Sequence, residues 1–253
     1  MQYAIVTAAA APVRLKPNHR AEMSNQLLFG EAVKIVRHKK HFWYKVQSLY
    51  DGYEGWVTHH MILGVTQQEA DRPVAFLAAD LLNKVETPGG IIHVPRGAFL
   101  FGLNGNAGGV DAFPYKYKGA KVVFKKENTE RVVAVAKEYL NAPYAWGGKT
   151  ILGIDCSGFA QTVYKMSGMP ILRDARQQAG QGKLIKKLKN AKAGDLAFFD
   201  DKEEIVHVGI LLGPDKIIHS AGKVRIDDID EQGIVNVDTG KRTHSLKLIK
   251  RFF

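Results

Sequence analysis

The hydrophobic periodicity of this chain changes character once, near residue 127, and that change limits the folds open to it. Before it, apolar residues come in short β-like stretches such as AVKIVRHKK, FWYKVQSL and YEGWVTHHMI, separated by Lys39-Lys40-His41 and Asp51-Gly52. Strands of that length and spacing predict a small barrel over residues 1–66. TQQEADRP (66–73) is polar and ends in proline, so it reads as a linker. Residues 74–125 are Gly-rich and strand-like again, in GGIIHVPRGAFLFGLNGN and KVVFKK, and predict a second small β domain.

After residue 127 the repeat becomes helical. ENTERVVAVAKEYL places Val132, Val135, Ala136, Tyr139 and Leu140 on one stripe, with Asn128 or Thr129 as cap and Glu130 at the positive end. Asn141-Ala142-Pro143 stops it. A second helix is predicted from the recurrence of Phe159, Ala160, Val163, Tyr164 and Met166, closed by Gly168 and Pro170. DLAFFD (195–200), HVGILLG (207–213), KIIHSAG (216–222) and SLKLIKRFF (245–253) then read as strands. Helices followed by an antiparallel set make residues 127–253 an α+β domain.

The formal net charge is +11, with the densest basic runs at RHKKH (37–41) and KLIKKLKNAK (183–192). Neither run has the interleaved aromatics of a single-strand binding groove, so no nucleic-acid partner is expected and the second run reads as a solvated face or mobile flap. No apolar run approaches the roughly 18 residues of a membrane span. The opening MQYAIVTAAAAPVR lacks the basic and apolar regions of a signal peptide. A single cysteine fits the reducing cytoplasm, although a periplasmic or secreted protein whose leader had been removed would read the same way. Oligomeric state is not legible.

That lone cysteine stands in IDCSGFAQTVYKMSGM, directly after Asp155. Asp155 is a good N-cap, which puts Cys156 in the first helical turn. There the helix dipole favours a thiolate, and the amides can donate to an oxyanion. A cysteine nucleophile also needs a base, and His207 and His219 flank the turn Gly213-Pro214-Asp215. A three-residue hairpin loop makes facing residues sum to 428, so His219 opposes Gly209 on the same face as His207, roughly 7 Å along. That register lets His207 pair with Cys156 and His219 orient His207. A two-residue loop would put them on opposite faces.

YAWGG, GIDCSGFAQTVY, AGDLAFFD, HVGILLG and IIHSAG together resemble the NlpC-type, papain-like cysteine peptidases of bacterial cell walls. The resemblance implies Cys156 as nucleophile, His207 as base and His219 as the third, orienting residue. Tyr144 matches the position whose hydroxyl assists the oxyanion. MSNQLLFGEAVKIV, FWYKVQ and DGYEGWV resemble the bacterial SH3-like barrel that precedes the peptidase in γ-D-glutamyl-L-diamino-acid endopeptidases, and ILRDARQQAGQG resembles the same branch; the expected architecture is two small SH3-like β barrels, over 1–66 and 74–125, ahead of a papain-like α+β domain over 127–253. The implied substrate is a murein peptide, L-Ala-γ-D-Glu-diamino acid, with a free amine. Asp174 is implied to bind that amine with Glu22 and Tyr53. Arg173, Asp155, Ser157 and Trp146 are implied to line the cleft, with Arg173 or backbone amides meeting the α-carboxylate. No cofactor is expected. Competing readings are an amidase or acyltransferase on the same fold, a zinc site of Cys156, His207 and His219, and a non-catalytic wall-binding protein.

Overall fold

A computed structural model describes residues 1–39, 42–125 and 127–253. Lys40 and His41, in the first basic run and its expected turn, lie outside the described residues. The backbone divides into two compact units. The first holds Met1–Phe124 together with Trp146–Ile151; the second holds Lys125–Ala145 and Leu152–Phe253. No helix among the described residues is long and apolar enough to cross a membrane.

The first unit opens with seven strands: β1 (Tyr3–Val6), β2 (Ala10–Arg14), β3 (Met23–Leu28), β4 (Ala32–Lys39), β5 (Trp43–Ser48), β6 (Glu54–Thr58) and β7 (Ile62–Val65). They hydrogen-bond in the order β3-β2-β6-β5-β4-β1-β7. Residues that alternate inward on these strands, such as Ala11 and Val13 or Ala4 and Val6, fill a small core with Leu27, Val33, Val46 and Val57.

The polar stretch at 66–73 is more than a linker. Thr66 caps a one-turn helix, α1 (Gln67–Ala70), in a capping box with Glu69. The T-x-x-E spacing was present in the sequence. Residues 76–123 add β8 (Phe76–Ala78), β9 (Leu82–Thr87), β10 (Gly90–Pro95), β11 (Ala107–Val110), β12 (Phe113–Lys116) and β13 (Lys121–Val123). Four of these form a sheet in the order β10-β9-β12-β11, and β13 pairs with β8. Their core draws in Ile5 of β1 and Phe29, the residue after β3, which join Val85, Val94, Leu100 and Tyr115.

In the second unit α2 (Arg131–Lys137) is shorter than the periodicity predicts. Its N-cap is Glu130, with no side-chain cap, in place of Asn128 or Thr129. Leu140 is exposed because the helix ends before it. The short strands β14 (Lys149–Thr150) and β15 (Gly153–Ile154) lead to α3 (Cys156–Met166), all eleven of whose residues are buried. A helix enclosed on every side is a core element, and each of its large apolar side chains contributes about 1.5–3 kcal/mol by leaving water. Two of its polar members are bonded inside: Gln161 donates to the Ile171 carbonyl at 3.1 Å, and the Tyr164 hydroxyl donates to the Gly194 carbonyl.

After α4 (Ala175–Ala179) come β16 (Lys183–Ile185), β17 (Leu196–Asp201), β18 (Glu204–Leu211), β19 (Lys216–Ala221), β20 (Lys223–Asp230), β21 (Gly233–Val235) and β22 (Arg242–Arg251). The order is β16-β22-β17-β18-β19-β20-β21, and β21 pairs back onto β22. Six strands therefore close on themselves around Phe199, Leu211, Ile217, Ile229, Ile234 and Ile249. The lysine-rich stretch at 183–192 is anchored in this layer: β16 pairs with β22, and Leu188 and Ala191 reach the same core. The sequence reading missed β20 and β21.

Candidate active site

The hairpin between β18 and β19 has the register on which the candidate base depended. Gly209 faces His219, Ile210 faces Ile218 and Leu211 faces Ile217, so facing numbers sum to 428. Gly213-Pro214-Asp215 is the three-residue loop. The two imidazoles meet: His207 Nε2 lies 2.8 Å from His219 Nδ1, with the rings nearly perpendicular. Gly209 makes room for this contact. A Cβ there would stand 2.6 Å from the Ile217 Cδ1 and 2.9 Å from the His219 Cβ.

Asp155 caps α3 as the sequence implied, its Oδ1 accepting from the Gly158 N–H at 2.7 Å. It holds Cys156 at the first helical position. The sulfur accepts from the backbone N–H of Val208, the residue after His207, and from that of Ser157. Helix α3, which opens with Cys156, packs against β18, which carries His207; His207 Nδ1 is the ring nitrogen not bonded to His219.

The expected thiolate is not what the surroundings favour. Burial, then the Asp155 carboxylate, push the Cys156 thiol up to about 12, against the opposing pull of the Val208 N–H, Arg173 and the Ser157 N–H. The residue that caps the helix also sets a full negative charge beside the sulfur, and that charge with burial outweighs a dipole of about half a charge. Burial, helped by His219 and His244, holds His207 well below the usual histidine value.

Tyr144 is fixed by its N–H on the Gly222 carbonyl at 3.0 Å. Burial, Cys156 and Asp155 raise its hydroxyl above the ordinary tyrosine range, so it stays protonated and can donate. Arg173 is 1% exposed and does not stand in an open cleft. Its fork spans Asp155 (Nη2 to Oδ2 2.7 Å, Nη1 to Oδ1 3.1 Å) and the Ser157 hydroxyl (2.8 Å). The sequence reading had it meet a substrate carboxylate; here it secures the cap beneath the nucleophile. Asp174 follows it half-buried at the N-cap of α4, its N–H donating to Gln177 Oε1 at 3.0 Å.

Three candidates belong to the first unit. Trp146, 61% exposed, donates from Nε1 to Glu22 Oε1 at 2.7 Å. The Tyr53 hydroxyl reaches the Ser24 carbonyl at 3.4 Å. Gly147, at φ +75°, passes so close to the start of β3, directly after Glu22, that a Cβ would meet the Met23 carbonyl oxygen at 2.5 Å. Lys149 continues the segment, its N–H donating to Gln26 Oε1 at 2.8 Å and its Nζ lying 3.6 Å from Glu31 Oε1, with both charged groups 1% exposed.

Two groups escaped the sequence reading. Asp227 on β20 places Oδ2 2.9 Å from His219 Nε2. His244 on β22 stacks on His207 with ring centroids 4.2 Å apart. Burial first, and then His219, lower the pKa of His244 to about 4. Strict alternation in KVRID would have pointed Asp227 to the same face as Arg225, which bonds it at 2.8 Å. His244 had no motif to announce it.

A buried cysteine opening an enclosed helix that packs against an antiparallel β layer carrying a bonded histidine pair defines a papain-like cysteine peptidase. The model of the NlpC/P60 family matches residues 141–243, and that of the bacterial dipeptidyl-peptidase SH3 domain matches residues 13–62. The chain is 32% identical over 223 residues to gamma-D-glutamyl-L-lysine dipeptidyl-peptidase of Bacillus subtilis, covering 78% of this chain and 72% of that one. It is 29% identical over 257 residues to dipeptidyl-peptidase 6 of Lysinibacillus sphaericus, covering 90% and 92%. A crystal structure of an NlpC/P60 family protein from Bacillus cereus superposes with a TM-score of 0.83 over 99% of both chains at 20% identity, which speaks to the fold. The chain belongs to the NlpC/P60 family of cell-wall peptidases, with an SH3 domain ahead of the peptidase domain.

Proposed function

We propose that this peptidase hydrolyses the amide between the γ-carboxyl of D-glutamate and a diamino acid, in wall-derived peptides that begin with a free L-alanine. The relatives named above support the bond, and one observation carries the chemistry: the Cys156 sulfur rests on the N–H beside His207, whose far nitrogen is held by His219. His207 Nδ1 takes the thiol proton as sulfur attacks the carbonyl carbon. The Tyr144 hydroxyl and the N–H of Cys156 receive the oxyanion. The C–N bond breaks, His207 returns the proton to the leaving amine, and L-Ala-D-Glu remains as a thioester on sulfur. Water, deprotonated by His207, then releases it. Asp155, Arg173 and Ser157 hold the nucleophile's helix turn in place.

Asp174 pairs with the substrate's ammonium group. A carboxylate left unpaired by a blocked amine makes the discrimination strong. Such an enzyme acts on peptides already freed from sugar, a recycling role more than wall breakage.

The test is cleavage of L-Ala-γ-D-Glu-L-Lys and its N-acetylated twin, with Cys156→Ala as control. The free peptide is expected to give L-Ala-D-Glu and lysine, the twin to resist and the variant to be inert. The kcat/KM for the free peptide should fall above about pH 8, as the substrate amine loses its proton. Equal cleavage of both peptides would remove the amine subsite. Cleavage of neither would return the choice to the amidase and wall-binding readings.

A further inference from the structure

We propose that Asp227 is a positioning residue that sets the tautomer of two histidines in series, and so decides which nitrogen of His207 is the base. The inference rests on the catalytic roles proposed above for Cys156 and His207. Asp227 and His219 are each 1% exposed, and His207 is 6% exposed, so these groups exchange hydrogen bonds with each other before water.

The direction of every bond follows from one end. Asp227 Oδ1 accepts from Arg225 Nη2 at 2.8 Å and from the Val237 N–H at 3.1 Å; Oδ2 faces His219 Nε2 at 2.9 Å. Burial works to raise this carboxyl, but those three donors hold it well below the usual carboxylate range. An ionised carboxylate only accepts, so His219 Nε2 carries a proton. In the tautomer with that proton on Nε2 the Nδ1 of His219 is bare, and it accepts from His207 Nε2 across 2.8 Å. His207 therefore carries its proton on Nε2, and Nδ1 is left bare toward the thiol.

Arg225 holds Asp227 in place on the side away from His219, and its other partner is the exposed Asp238 at 2.7 Å. The remaining titratable ring against this cluster, His244, stacks on His207 and bonds Thr243 Oγ1 at 2.9 Å.

Asp227→Asn reads this directly, because an amide can donate to His219 Nε2 and reverse both rings. Cys156 alkylation by iodoacetamide needs the base but no substrate. In the parent its rate should be level with pH between the His207 and Cys156 inflections, since the neutral pair and the ion pair hold the same number of protons. In Asp227→Asn the rate at neutral pH should drop about 10³- to 10⁴-fold, as in triads whose orienting acid is amidated, and then climb tenfold per pH unit. Asp227→Glu should recover part of the level region. Retention of a level profile within threefold of the parent in Asp227→Asn would overturn the assignment. Should that variant not fold, long-range ¹H–¹⁵N spectra of the parent decide. His207 and His219 both protonated on Nε2 and bare on Nδ1 support the proposal, and either ring in the other tautomer refutes it. A parent that cuts no wall peptide yet shows this pattern would fail the substrate reading and leave the Asp227 assignment standing.

Discussion

The pair Asp155–Arg173 offers the sharpest energetic test of how the nucleophile is held. Arg173 is 1% exposed and bonds Asp155 through both terminal nitrogens. Asp155→Ala removes the α3 cap, worth about 1 kcal/mol, and strands a buried guanidinium, worth about 3–5 kcal/mol. The sum, about 4–6 kcal/mol, is a large part of the 5–15 kcal/mol that holds an ordinary domain. Asp155→Asn keeps an acceptor for the Gly158 N–H and should lose only the second contribution. Asp155→Asn with Arg173→Met should recover most of that loss, because replacing both charges is nearly neutral where removing one is not. The two units can be followed separately. All three tryptophans, Trp43, Trp56 and Trp146, belong to the first unit, whereas the single cysteine belongs to the second. Urea titration read by disulfide exchange of Cys156 with an aromatic disulfide therefore reports the second unit, with tryptophan fluorescence as internal control. A loss below about 1 kcal/mol in Asp155→Asn, or a double variant as unstable as the sum of the singles, would refute the argument.

Gly209→Ala would place a Cβ 2.6 Å from Ile217 and 2.9 Å from the His219 Cβ. It should cost about 1–3 kcal/mol by overpacking and lower kcat by displacing His219, and unchanged kcat and stability would show that the close contact is slack. His244→Leu removes the ring stacked on His207, one of the groups that lower its pKa after burial itself. The His207 value should rise toward the ordinary histidine value, so the acid limb of kcat/KM moves to higher pH. A limb that stays or moves lower would contradict the role of His244.

Much of the site was legible because its determinants are local. An N-cap one residue before a cysteine, and two histidines straddling a countable loop, give helix phase and strand register without tertiary knowledge. What was not legible depends on pieces far apart in the chain. Asp227 sits in KVRIDDID, where three acids interrupt the alternation, so the strand did not announce itself and only the His219 contact singles out one acid. Trp146 and Glu22 are 124 residues apart, and no periodicity links them. The thiol expectation failed for a different reason: helix position was counted and burial was not. A dipole argument made from sequence has no access to the desolvation that here dominates the sulfur.

Between Ala145 and Leu152 the chain leaves the peptidase unit, contributes six residues to the first unit and returns four residues ahead of Cys156. The boundary near residue 125 is thus a single cut on paper and a threefold crossing in the polypeptide. A gene fragment beginning there would carry Lys149 without Glu31 and Gly147 without the Met23 carbonyl, and the remaining half would hold Glu31 without its cation. Recombination that swaps the leading half for another module must supply a matching groove for this inserted loop. The two halves are therefore bound to drift together, and shuffling should yield functional hybrids only when the loop travels with the half that receives it.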